Sequence, residues 1–159
     1  MSAFRTTLAA ASLGLAAIAT SAAADDKATV QTFYDLLSNP GSEVQVAAFL
    51  SATSENWESV GNYSGENEGR DGFVGQMGFF SQLIPDLNWS VQAMHQDGDF
   101  LTVRSRATGT PTGPFFGVDG EGRSFDILTI DIHELDDGVI VRTYHVEDWA
   151  SALQQLSGQ

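Results

Sequence analysis

Val141-Arg142-Thr143-Tyr144-His145-Val146-Glu147-Asp148-Trp149-Ala150-Ser151-Ala152-Leu153-Gln154-Gln155-Leu156 changes period in its middle. Up to Val146 the residues alternate as on a β-strand; from Trp149 they follow a helical pattern. Between the two, Tyr144, His145, Glu147 and Asp148 bring a phenol, an imidazole and two carboxylates close together. Such groups at a strand-to-helix junction can transfer protons without a cofactor.

Upstream, Asp136-Asp137-Gly138 is a turn signal, so residues 139–146 read as the last strand of a meander. Residues 125–135 and 100–108 are strand-like. In the latter, Leu101, Val103 and Ala107 share one face, and Phe100, Arg104 and Arg106 the other. Asp97-Gly98-Asp99 joins it to an earlier alternating run, Trp89, Val91, Ala93 and His95. Residues 109–122 form a long loop holding Phe115 and Phe116.

The first half has the helical period. Residues 27–38 place Val30, Phe33, Tyr34 and Leu37 on one stripe. Ser42 with Gln45 is a capping-box pattern for a second helix, to about residue 50. Residues 56–60 read as a short strand and 61–69 as a polar, glycine-rich loop. Asp71 is placed to cap a third helix with Phe73, Met77 and Phe80 on one stripe. Helices first and an antiparallel meander after predict an α+β fold. A twisted sheet curling around the helices leaves a cone-shaped pocket suited to a small apolar molecule.

Arg5, the apolar run 8–19 and Ala22-Ala23-Ala24 match a secretory signal peptide over 1–24, with the domain at 25–159. The apolar run is too short to span a bilayer, so no membrane insertion is expected after cleavage. The 159-residue chain carries 7 Lys+Arg against 21 Asp+Glu, a formal net charge of −14. A nucleic acid would be repelled. The chain has no cysteine, which removes disulfides, thiolate nucleophiles and thiolate metal sites. Export without cysteine points to a bacterial periplasm or the secreted fraction. The histidines lack metal-ligand spacing, and no phosphate-binding loop or nucleophile elbow is present. Neither a metal nor a cofactor is expected.

Three blocks carry a family resemblance. They are Ile84-Pro85-Asp86-Leu87-Asn88-Trp89; then Arg106-Ala107-Thr108-Gly109-Thr110 with Gly113-Pro114-Phe115-Phe116-Gly117 and Gly122-Arg123-Ser124-Phe125; and Asp137 to Arg142 with the closing stretch quoted above. In these the chain resembles the SnoaL-like polyketide cyclase family of the NTF2-like superfamily, over essentially the whole mature sequence. The resemblance implies an NTF2-like (cystatin-like) cone, with N-terminal helices packed in a curved, mainly antiparallel sheet. It also implies a homodimer, and ring closure by intramolecular aldol condensation with an aspartate as acid/base and no cofactor. Matched on Gln154-Gln155-Leu156, that aspartate is Asp148, and the aromatic residue before it is Tyr144. Where members often have a histidine after the Gly-Thr pair, this chain has Pro111.

Asp148 is therefore the leading acid/base candidate; the competing reading is a helix cap. Tyr144 would donate a hydrogen bond to the oxygen that gains charge. His145 is a second acid/base candidate, or a hydrogen-bonded residue of the sheet. On a regular strand Tyr144 and His145 face opposite ways and Tyr144 shares its face with Asp148; a bulge would change that. Arg104 could hold a carboxylate or enolate, or sit on a solvated face. Trp89, Phe115 and Phe116 could line the pocket, the last two as a lid or dimer contact. Asp131 and His133 share a face and read as a structural or interfacial pair. The expected function is an exported acid/base enzyme performing aldol-type cyclisation, isomerisation or dehydration on a small apolar carbonyl compound. The alternative is a non-catalytic binding module for a small hydrophobic ligand. An inward Asp148 with a raised pKa would favour the enzyme, an outward one the binder.

Overall fold

The computed structural model describes residues 14–158; the leader expected at 1–24 lies outside the described residues over positions 1–13. The elements run α1 (Gly14–Ser38), α2 (Glu43–Ala52), β1 (Thr53–Val60), β2 (Glu68–Gly69), α3 (Arg70–Leu83), β3 (Asn88–Asp97), β4 (Phe100–Gly109), β5 (Phe125–Asp136), β6 (Val139–Glu147) and α4 (Trp149–Ser157). No described helix is long and apolar enough to cross a membrane.

The architecture is α+β, as the change of period predicts. One curved, unclosed sheet has the strand order β2-β1-β6-β5-β4-β3. It is antiparallel except for β1 and β6, which run parallel. The two-residue hairpin between β5 and β6 needs positive φ at both loop positions. Asp137 and Gly138 supply it, at 48° and 77°.

β4 alternates regularly, with Leu101, Val103, Ser105 and Ala107 buried against exposed neighbours. The inward rows of β4 and β5 share one core with the α1 stripe Val30, Phe33, Tyr34 and Leu37, all buried, and Phe33 and Tyr34 pack edge-on to His133 of β5. Each large apolar side chain sealed there contributes about 1.5–3 kcal/mol, which holds the sheet to the helix. Phe73 and Met77 of α3 close the other wall of the cone.

Two local expectations need adjusting. Ser42 caps α2 by accepting from Gln45 N, as its spacing predicts. Asp71, however, does not cap α3: Gly69 holds the N-cap position without a side-chain bond, and Asp71 stands in the first turn. There its charge still meets the positive end of the helix dipole. The stretch expected as a loop at 61–69 also ends in β2, which pairs with β1 through Glu58–Gly69 and Ser59–Glu68.

Candidate functional site

β5 and β6 face the cone with polar residues in matched pairs. Thr129 stands opposite Glu147, Asp131 opposite His145, and His133 opposite Thr143. Buried polar groups are costly unless hydrogen-bonded, so their partners decide what this row can do.

A bulge selects the β6 members. Leu135 pairs with Ile140 but Glu134 with Arg142, so Val141 is an extra residue. Ile140 is buried before the bulge and Thr143 after it. A regular strand continuing the face of Ile140 would turn Tyr144 and Val146 inward. With the extra residue, Thr143, His145 and Glu147 face the cone instead.

Behind the cavity wall runs a chain of hydrogen bonds joining α1, β1, β5 and β6. Trp57 Nε1 donates to Thr143 Oγ1 at 3.1 Å, and Thr143 Oγ1 meets His133 Nδ1 at 3.0 Å. His133 Nε2 meets the Tyr34 hydroxyl at 2.9 Å, and that hydroxyl donates to Asp131 Oδ2 at 2.8 Å. An indole N–H only donates, and Tyr34 has one hydrogen, which goes to the carboxylate. His133 therefore carries its proton on Nε2 and accepts at Nδ1. Every group in the row is satisfied in one direction, ending on Asp131.

In front lies a cavity of about 440 Å³. Phe33, Phe73, Phe80, Trp89 and Trp149 supply aromatic wall, while Asp131, His145 and Glu147 supply the interior charge. Tyr34 is the only side-chain partner of Asp131 among the described residues, which leaves Oδ1 for the cavity. His145 Nδ1 bonds Glu147 Oε1 at 2.8 Å, and its Nε2 makes no hydrogen bond among the described residues. Gly61 sits against this ring: a Cβ there would lie 2.9 Å from Nε2.

The surroundings set the protonation states. Burial pushes the Asp131 carboxyl up to about 7; the Tyr34 hydrogen bond opposes this, Glu147 adds to it and His145 opposes it. The Glu147 hydrogen bond raises His145 and favours its charged form. Burial lowers His133 to about 3, so that ring stays neutral. Burial also raises the Tyr34 phenol far above its ordinary value, keeping it a donor.

The residues singled out in the sequence fall in different places. His145, Trp89 and Phe116 line the cavity, Phe116 at its mouth, where it is 64% exposed with φ 46°. Trp89 Nε1 is held by Thr129 Oγ1 at 3.0 Å. Phe115 is core, stacked with Phe125 and edge-on to Trp149, rather than a lid. Arg104 is on the outer sheet face beside the Arg106–Asp126 ion pair, away from the cavity.

Asp148 and Tyr144 do share a side, as strand parity suggests, but it is the outer one. There they line an open, mainly apolar groove of about 640 Å³ with Leu128, Ile130, Ile132 and Val146. Asp148 is exposed and caps α4, accepting from Ser151 N at 3.1 Å and from the Ser151 hydroxyl at 2.6 Å. These bonds lower its pKa. Of the two readings of Asp148, inward acid/base or helix cap, the structure has the cap, on the outer side of the sheet, and the candidate catalytic pair Asp148 and Tyr144 lies away from the cone.

Asp131, Tyr34 and Glu147 were not expected at the centre. A signal for Asp131 existed: Phe125, Ile127 and Leu135 share its parity in β5 and belong to the core. The apolar run Leu128, Ile130 and Ile132 instead lies on the exposed face, so the middle of the strand is polar inside and apolar outside.

The sequence profile of the SnoaL-like polyketide cyclase family matches residues 28–156. Among curated proteins none matches the chain. Solved structures share the fold. A candidate SnoaL-like polyketide cyclase of Jannaschia sp. CCS1 is 20% identical with a TM-score of 0.73, covering 86% of this chain and 94% of its own. IdmH of Streptomyces antibioticus, a candidate polyketide cyclase, is 23% identical with a TM-score of 0.70, covering 82% of this chain and 97% of its own. A Catenulispora acidiphila DSM 44928 protein with a ketosteroid isomerase-like fold is 16% identical with a TM-score of 0.63, covering 82% and 92%.

Proposed function

This chain belongs to the SnoaL-like polyketide cyclase family, and we propose that it is an acid/base enzyme acting inside the cone on a small carbonyl compound. The observation that carries the reading is Asp131: a carboxyl buried on the cavity wall, held through one oxygen by Tyr34 and poised near neutrality. A base with a pKa near the working pH is suited to taking a proton from carbon and returning it. Asp131 Oδ1 removes a proton next to the carbonyl. The His145 Nε2–H, supported by Glu147 behind it, donates to the oxygen that gains charge. Protonated Asp131 then returns its proton to the enolate or to a new alkoxide. The outcome is isomerisation, aldol-type ring closure or dehydration. The leader-like residues 1–24 support a site of action outside the cytoplasm.

A second reading is a non-catalytic binder in the same cone. It is favoured by the exposed helix cap at Asp148, the position that the family resemblance matches to the catalytic aspartate. Proton exchange separates the two. Enolisable aryl ketones such as α-tetralone, incubated with the protein in D2O, should gain deuterium next to the carbonyl, and Asp131→Asn should stop it. Exchange at the wild-type rate in Asp131→Asn would rule out this mechanism.

A further inference from the structure

From the cavity's lining we infer that its ligand is an organic cation, a substituted ammonium group seated among aromatic rings. The inference rests on the interior cavity being the working site, as proposed above. Its lining contains Glu66, Glu68, Asp131 and Glu147, and neither lysine nor arginine. His145 is the one basic group there, and Glu147 already neutralises it. Glu66 and Glu68 form no ion pair among the described residues. Both are exposed and mark the mouth, so an approaching ligand meets negative charge first and Asp131 last.

Asp131 supplies the independent observation. Its residue is 2% exposed, its Oδ2 is taken by Tyr34, and Oδ1 has no side-chain partner among the described residues. A buried carboxylate oxygen left open toward a cavity is completed by a ligand that donates to it or carries positive charge. The walls fit the same guest. Phe80, Trp89 and Trp149 line the cavity, and Phe116 lies 6.1 Å from Trp149 at the entrance. Ring faces attract a desolvated ammonium that they would not distinguish by size from its neutral carbon analogue. A carboxylate or phosphate ester would find no counter-charge here.

Titration with three benzyl probes tests this: benzyltrimethylammonium, its neutral isostere neopentylbenzene, and the anion benzylsulfonate. Protein NMR or calorimetry should show one saturable site for the ammonium, about tenfold tighter than for the neutral isostere, and none for the sulfonate. The double variant Glu66→Gln/Glu68→Gln should weaken the ammonium several-fold and leave neopentylbenzene unchanged, with the melting temperature as a folding control. Asp131→Asn should weaken the ammonium further. Equal affinity for the cation and the isostere, binding of the sulfonate, no ammonium binding at millimolar concentration, or indifference of both variants would overturn the inference. Ketone exchange is measured separately. Selectivity lost with exchange intact removes only the cation, and exchange lost with selectivity intact removes only the proton-transfer reading.

Discussion

The Tyr34 hydroxyl on α1 donates to Asp131 Oδ2 on β5 at 2.8 Å, across 97 positions of sequence. This bond ties the first described helix to the middle of the sheet and leaves only Oδ1 of the carboxyl toward the cavity. It also opposes the burial that raises the Asp131 pKa.

Tyr34→Phe removes that donor and the acceptor of the His133 Nε2–H together. Each unpaired buried group costs about 1–3 kcal/mol, so the melting temperature should fall. Without its stabilising hydrogen bond, Asp131 should hold its proton to higher pH. The rising limb of the pH–rate profile for ketone exchange should then shift upward. An unshifted limb in a folded Tyr34→Phe protein would count against Asp131 as the base.

Asp131→Asn should separate activity from stability. The wild-type carboxyl rises from 3.8 to about 7 on folding. Below pH 3.8 it is protonated in both states. Between 3.8 and about 7 the unfolded chain gives up the proton and the folded chain keeps it, so stability falls as pH rises through this window. The amide escapes that loss and can still accept from Tyr34. Chemical denaturation should find Asp131→Asn close to wild type near pH 4 and more stable at pH 8, with exchange reduced by roughly 10²–10⁴-fold. A variant less stable than wild type at pH 8 would contradict the assigned environment.

Asp148 should behave as a cap and nothing more. Asn caps about as well as Asp, so Asp148→Asn should melt close to wild type, whereas Asp148→Ala should melt a few degrees lower. Both should exchange ketone protons at the wild-type rate. A large rate loss in Asp148→Asn would move the chemistry to the outer groove.

Gly61→Ala should disturb His145 from the neighbouring stretch of the cavity wall. The added methyl would lie 2.9 Å from Nε2 and 3.0 Å from Cε1, so the ring must shift. The Nδ1–Glu147 bond should stretch with it, and the His145 titration followed by NMR should fall toward the ordinary imidazole value. Exchange should drop while the far-ultraviolet circular dichroism stays unchanged. An unmoved His145 titration would show that the pair tolerates the displacement.

Deleting Val141 removes the bulge residue. Ile140 is then followed directly by Arg142, so the ladder becomes regular while Thr143, His145 and Glu147 keep their inward places and their partners on β5. Trp57 Nε1 and His133 Nδ1 keep their shared partner, Thr143. The deletion should therefore leave thermal unfolding cooperative and ketone exchange measurable, and loss of the fold would show that the bulge does more than set the parity.

The α1 stripe, the Ser42 cap, the β4 alternation and the hairpin at Asp137-Gly138 were all legible in the sequence, because each depends on neighbours within a few residues. The three-block resemblance carried the family in the same way, and Asp148 was legible as a cap from its place before a helical run. The working face of β6 was not. The parity of Tyr144 and His145 depends on an extra residue visible only in the pairing of β6 with β5. The centre at Asp131 depends on Tyr34, Trp57 and Thr143 arriving from three other elements. Periodicity is local and recovers which residues share a face. Which face closes on the cavity is set by long-range register and burial, and only the tertiary structure decided that.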